Sequence, residues 1–301
     1  MRTLLLAGAV LFVLVAAACG AGDPDVADEP RSATLPALDS EQLYEASATV
    51  LDDADGPKLC VGGVADSLPP QCGGLPLAGW NWTAVEGEQS ASGSTWGDFH
   101  VVGTYDGETF TVTESGPYDR DAADRGSERD FSTPCPEPDG GWTAVDPGRA
   151  TDPDFTAGAS VAQARKDYVA LWVDYAGDFT PDELAQRLDE GKPVLQIMNV
   201  VVSEDAAGAE AAIREVWGGS LCVTEREGHT AQELAQIREE AERFIQEELG
   251  LRYLWSASGP VGLAAEIGVI VDPGGAGQAA VDERFGSRLV RLVPALTPVA
   301  E

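Results

Sequence analysis

Surface chemistry needs a nucleophile with a base, or a set of metal ligands, and this chain of 301 residues offers few of either: two histidines, His100 and His229, and five cysteines. There is no GxSxG, SxxK or GDSGG-like stretch, so the two histidines are the only general bases a serine triad could use. His229 precedes Thr230 at a helix start and reads as a solvated turn residue, whereas His100 follows Phe99 in a strand and reads as half-exposed. No CxxC occurs, and neither histidine has a ligand partner at helical i, i+4 spacing, so neither a metal nor a cofactor is expected. The run Val271-Asp272-Pro273-Gly274-Gly275-Ala276-Gly277-Gln278 has the strand-to-helix placement of a phosphate cradle. It lacks both GxGxxG and the Walker lysine, and reads as a flexible turn. Asp52-Asp53-Ala54-Asp55-Gly56 looks like part of a calcium loop, yet Leu51 and Gly62 stand where its first and last ligands belong. The acids from Asp119 to Asp130 alternate with three arginines, and no spacing among 51 acidic residues marks a carboxylate pair for glycoside hydrolysis.

Cysteine is the more informative type. Met1-Arg2-Thr3, an unbroken apolar run over residues 4–18, and then Cys19-Gly20 make a basic n-region, an h-region and a small-residue cleavage site: a signal peptide over residues 1–18. Val15-Ala16-Ala17-Ala18-Cys19 resembles the bacterial lipobox, in which the cysteine receives a diacylglyceryl thioether and becomes the mature N-terminus; Ala16 stands where leucine is usual. The expected attachment point is Cys19, and two or more acyl chains hold a membrane stably where one would not. The remaining Cys60, Cys72, Cys135 and Cys222 are even in number and, in an exported chain, allow three disulfide connectivities. Pairing Cys60 with Cys72 is favoured because it closes a short loop rich in Gly and Pro, which leaves Cys135 with Cys222. Bridging makes the loop over residues 62–71 a rigid Pro-Pro projection, and Ser67, Pro69, Pro70, Gln71 and Trp80 are the candidate contact surface.

The charge sum is 19 Lys+Arg minus 51 Asp+Glu, or −32. Such a surface repels nucleic acid and anionic lipid headgroups. The expected partners are therefore the membrane, reached only through the lipid, and a protein or small-molecule ligand of unknown kind. Residues 19–42, acidic and carrying three prolines, read as a tether. Residues 43–118 read as a small β domain of short strands, with a hairpin at Asp106-Gly107 where both central residues would need positive φ. Residues 119–154, proline-rich and polar, read as a linker. Residues 155–301 alternate helix and strand, with capping boxes at Thr180/Glu183 and Thr230/Glu233. Within them, Asn199-Val-Val-Val, Ala211-Ala212-Ile213, Trp217-Gly218 and Leu221-Cys222-Val223 recur as Gly268-Val-Ile-Val, Ala279-Ala280-Val281, Phe285-Gly286 and Leu289-Val290-Arg291. The fold class expected is α+β: a small β-barrel or sandwich, then an α+β sandwich with an internal β-α-β repeat, its two copies joined by the helix that starts at Thr230.

The loop from Pro57 to Gly74 with its Pro69-Pro70-Gln71-Cys72, followed by Gly79-Trp80, Trp96-Gly97 and Gly103-Thr104-Tyr105-Asp106-Gly107, resembles an uncharacterised family of actinobacterial secreted proteins and lipoproteins. The segment Ile213-Arg214-Glu215-Val216-Trp217-Gly218-Gly219-Ser220-Leu221-Cys222-Val223 is similar to that family's second landmark. The resemblance implies export and paired cysteines, and no reaction. The function expected is a lipid-anchored extracytoplasmic binding or interaction module. The alternatives are an extracellular hydrolase using carboxylates, and a protease inhibitor or pro-segment-like module.

Overall fold

The computed structural model describes residues 35–123, 130–177, 179–259 and 264–299. The expected signal peptide, Cys19 and most of the expected tether lie outside them. Within residues 33–301, which form one compact unit, the protein is α+β with several sheets. Leu35 and Leu38, at the end of the expected tether, pack against the hydrophobic cores.

The first sheet uses β1 (Leu43–Asp53), β2 (Gly56–Cys60), β3 (Leu75–Ala78), β4 (Gln89–Ala91), β5 (Ser94–Tyr105) and β6 (Phe110–Pro117). β1 pairs with both β2 and β5, β2 with β3, β3 with β6 and β6 with β5, so the circuit of pairings closes on itself. Strand alternation sends Tyr44, Ala46, Val50, Phe99, Val101 and Tyr105 inward to one buried cluster. A short helix, α1 (Arg120–Ala123), follows β6.

Two turns depart from the sequence reading. Asp106-Gly107 is not the doubly positive-φ turn expected: only Gly107 has positive φ, and the Asp106 carboxylate closes a four-residue loop by accepting from the Glu108 and Thr109 N–H groups at 2.8 and 2.7 Å. The two-residue turn with both φ values positive is Ser92-Gly93, between β4 and β5.

The rest of the chain builds one plan twice. The first unit runs α2 (Asp152–Gln163), β7 (Tyr168–Tyr175), then α3 (Pro181–Asp189) as an insertion, β8 (Gln196–Val202), α4 (Ala206–Arg214) and β9 (Ser220–Glu225). The second runs α5 (Ala231–Arg243), β10 (Tyr253–Ala257), β11 (Ala265–Val269), α6 (Ala276–Phe285) and β12 (Val290–Pro294). In each, the first two strands are antiparallel and the last two parallel. The recurring unit is thus helix-strand-strand-helix-strand, larger than the strand-helix-strand expected, and α5 opens the second copy instead of joining two copies. Pairing across the sheets also corrects the alignment of the last strand: Leu221 lies opposite Met198 as Leu292, not Leu289, lies opposite Ile267. The helix α2 begins inside the expected linker, where Thr151 and Asp154 cap it reciprocally.

Each three-stranded sheet carries helices on one face and leaves the other to be covered. In the first unit Met198, Val200 and Val202 pack against Ala162 of α2 and Ala209 and Ile213 of α4. The opposite face, through Val169 and Val201, packs on Leu234 and Ala241 of α5. In the second unit Ala265, Ile267 and Val269 face α5 and α6. Ile270, just past β11, and Leu296 join the β1–β6 core instead. A last strand, β13 (Thr297–Pro298), pairs with Tyr44 and Glu45 of β1.

Among the described residues no helix is long and apolar enough to cross a membrane. Disulfides join Cys60 to Cys72 and Cys135 to Cys222. This is the pairing expected, and it suits an oxidising, extracytoplasmic compartment.

Candidate functional site

β1 receives partners unevenly along its second edge. β13 covers it at Tyr44 and Glu45, and β2 takes over at Thr49. Between them, among the described strands, residues 46–48 have a neighbour only on the β5 side. The gap opens into a cavity of about 200 Å³ beside that bare strand edge, walled by Val61 after β2, Trp255 of β10, residues 293–295 and Thr297. A wider depression, lined by Thr49, Asp98, Tyr118 and Arg120, adjoins it and shares Ser47, Ala48 and Cys60.

The outward side chains of β1 and β5 form polar cross-strand pairs along this floor. Thr49 donates to the Asp98 carboxylate at 2.6 Å. Ser47 and His100 lie directly opposite each other and share a hydrogen bond of 3.0 Å between Oγ and Nδ1. His100 Nε2 lies 3.5 Å from the Glu45 carboxylate. Serine, imidazole and carboxylate in contact have the composition of a hydrolytic triad. Ser47 sits in mid-strand, and Arg120 and Ala122 of the short helix α1 line the same depressions. Sequence reasoning left this cluster unassembled because Glu45, Ser47 and His100 come together only through the β1–β5 register.

The expected contact loop leaves the same region. Cys60 and Val61 line the cavity, and the chain then projects to Cys72, braced by the disulfide, by an Ala65–Gln71 bridge and by the Ser67 hydroxyl donating to the Pro69 carbonyl at 2.9 Å. Ser67 and Gln71 are exposed, Pro69 and Pro70 half-buried. Leu68, between them, is 79% exposed. Trp80 lies elsewhere: its ring packs 5.2 Å from both Trp82 and Phe99, and its indole nitrogen is buried without a hydrogen-bond partner. The structure therefore gathers Ser67, Pro69, Pro70 and Gln71 into one projection and places Trp80 against the β core.

The other chemical candidates are engaged internally. Asp52 accepts from the Trp82 indole at 2.8 Å, and Asp53 is held by Lys58 at 2.9 Å, which lowers its carboxyl below the usual range. In the glycine-rich turn the Asp272 carboxylate accepts from the N–H groups of Gly277 and Gln278 at 2.6 and 3.0 Å, so the chain's own carboxylate fills the place a phosphate would take. His229 is exposed just before the α5 cap.

No protein-family model, no curated protein and no solved structure matches the chain.

Proposed function

We propose that the protein is a lipoprotein of the extracytoplasmic face, anchored to the outer surface of the cell membrane by acylated Cys19, and that it works as a binding or interaction module. The observation that carries this reading is the disulfide-braced loop holding Leu68 at 79% exposure between Ser67 and Pro69-Pro70-Gln71. Folding has no use for a leucine kept in water on a stiffened loop, whereas a partner's apolar pocket does. Rigidity lowers the ordering cost of association. We read the closed circuit of strands as a small β-barrel that presents this loop, and the paired helix-strand-strand-helix-strand units as a duplication. The likeness to actinobacterial secreted lipoproteins supports the same assignment. The protease-inhibitor alternative draws on the same loop, since a braced segment with one protruding apolar side chain suits a protease subsite; the carboxylate-hydrolase alternative would draw on Glu45 beside His100 and Ser47.

The test places a photo-crosslinking residue at position 68 of the full chain in its native envelope. One discrete adduct, lost in Leu68→Asp and weakened when Ser67, Pro69, Pro70 and Gln71 become alanine, is expected. No adduct, or one indifferent to those changes, overturns the loop as the contact surface. Intact mass measurement of the membrane fraction checks the anchor, with diacylated Cys19 expected and an unmodified soluble chain contradicting it.

A further inference from the structure

We propose that the gap beside residues 46–48 binds a short extended peptide, one residue of which completes the edge of β1 at Ser47. Strand alternation decides which backbone groups face the gap. The Leu43 carbonyl accepts from the Val299 N–H at 2.9 Å and the Glu45 carbonyl from the Thr297 hydroxyl at 3.4 Å, so both point away from β5. The β1–β5 register runs without a bulge from Leu43 to Asp52. Ser47, two positions beyond Glu45, therefore turns its own N–H and C=O to that same side, where β13 has ended and β2 begins only at Thr49. Among the described residues no backbone hydrogen bond takes up either group.

A donor and an acceptor side by side on one strand edge are matched by a residue that offers the same pair in return, which is how a peptide adds to a sheet. An ammonium has no acceptor and a carboxylate no donor, so neither ion satisfies both groups. The ends of the gap set the length of the ligand. β13 and β2 occupy the same edge on either side and leave residues 46–48, about 10 Å of strand at ~3.3 Å per residue. The cavity of about 200 Å³ falls below the ~300–1,000 Å³ of drug-sized sites, so it takes a short fragment and not a continuing strand. Val61, Val293, Pro294 and the half-exposed Trp255 give an apolar wall for one ligand side chain. The indole lies close against β11 because its partner across the sheet is Gly268, where a Cβ would collide with the ring.

The proposal is independent of the braced loop and of the Leu68 contact. Its test titrates the full chain with N-acetyl-alanyl-alanine methylamide and with its fully N-methylated analogue, which keeps the carbonyls and has no N–H. The Ser47 amide and the Trp255 indole N–H are followed by NMR. Saturable shifts of both are expected with the first peptide, with exchange of the Ser47 amide slowed at least tenfold and the analogue bound at least tenfold more weakly. Equal binding of the two peptides, no saturable response, or a Ser47 amide already protected from exchange in the free chain overturns the proposal without any variant. Ser47→Pro removes the N–H that faces the gap, at a bare edge where a strand accepts proline, and should abolish the Trp255 response. Ser47→Ala keeps both backbone groups and should bind as the native chain does. Undiminished binding by Ser47→Pro, or lost binding by Ser47→Ala, also overturns it.

Discussion

The two helix-strand-strand-helix-strand units carry the same row of residues across the face away from their own helices, and treat it differently. In the first the row is Trp172, Asn199 and Cys222; in the second it is Trp255, Gly268 and Val293. The first face is sealed. Trp172 donates its indole N–H to the Phe131 carbonyl at 2.8 Å, and Thr133 donates twice to Asp174, at 2.8 and 2.7 Å. Cys135 then locks the passing segment to Cys222. Further on, Arg149 takes the carbonyls of Arg214 and Glu215 at 3.1 and 2.7 Å, capping the end of α4. The second face is left partly open, with Trp255 lining a cavity and, among the described residues, no bridged segment over it. One architecture thus yields a covalently closed surface in one copy and a concave one in the other, decided by what stands beside the tryptophan: a side chain and a cysteine, or a glycine.

Removing the seal should have the largest effect. The Cys135–Cys222 bridge spans 87 residues of chain, so Cys135→Ser with Cys222→Ser should cost about 4–5 kcal/mol on the chain-entropy account. Urea unfolding would show it, and an unchanged midpoint would mean that the hydrogen bonds from Phe131 and Thr133 hold the strap unaided. Filling the glycine comes next. Gly268→Ala sets a methyl against the indole and should cost about 1–3 kcal/mol, with a shifted Trp255 indole resonance; an unperturbed resonance would show that the ring does not rest on that glycine.

The equivalent change in the first unit should go the other way. Asn199 is fully buried and its Oδ1 has no hydrogen-bond partner. Asn199→Leu should therefore be neutral or stabilising, within about 1 kcal/mol, and a large loss would mean that the amide bonds a group unaccounted for in this packing. The smallest effect concerns the corner between α2 and β7, where Arg165 hydrogen-bonds Asp167 at 2.8 and 2.6 Å and holds its carboxyl below the usual range. Because the folded-state value is depressed, the contribution is complete above the ordinary carboxylate range near pH 4. It disappears as pH falls through the lower folded value. Unfolding at a series of pH values from 6 to 2 should show a shallower acid loss in Asp167→Asn than in the native chain.

Local signals carried much of the organisation. The capping boxes at Thr180 and Thr230 start helices where their spacing says, because the side-chain and backbone partners lie within one turn. The near-continuous apolar run from Val194 to Val202 reads as a strand for the same local reason, and β8 occupies Gln196–Val202 of it. The helix α2 went unread because its capping acid is Asp154 instead of glutamate and the residues it buries fully are Gly158 and Ala162, too small to mark an apolar stripe. The full repeat was hidden by the α3 insertion, which displaces the first two elements of one copy against the other. The polar floor was invisible for a different reason: Ser47 and His100 are 53 residues apart, and only strand register brings them together.

The pairing of β1 with β13 also fixes an order of assembly. Thr297 donates to the Glu45 carbonyl across 252 residues at 3.4 Å, among the longest loops this chain can close, and contacts of that span form late. The strand that floors the cavity is thus made early in the chain and finished by its tail. The cavity is therefore complete only once residues 297–298 have paired with β1.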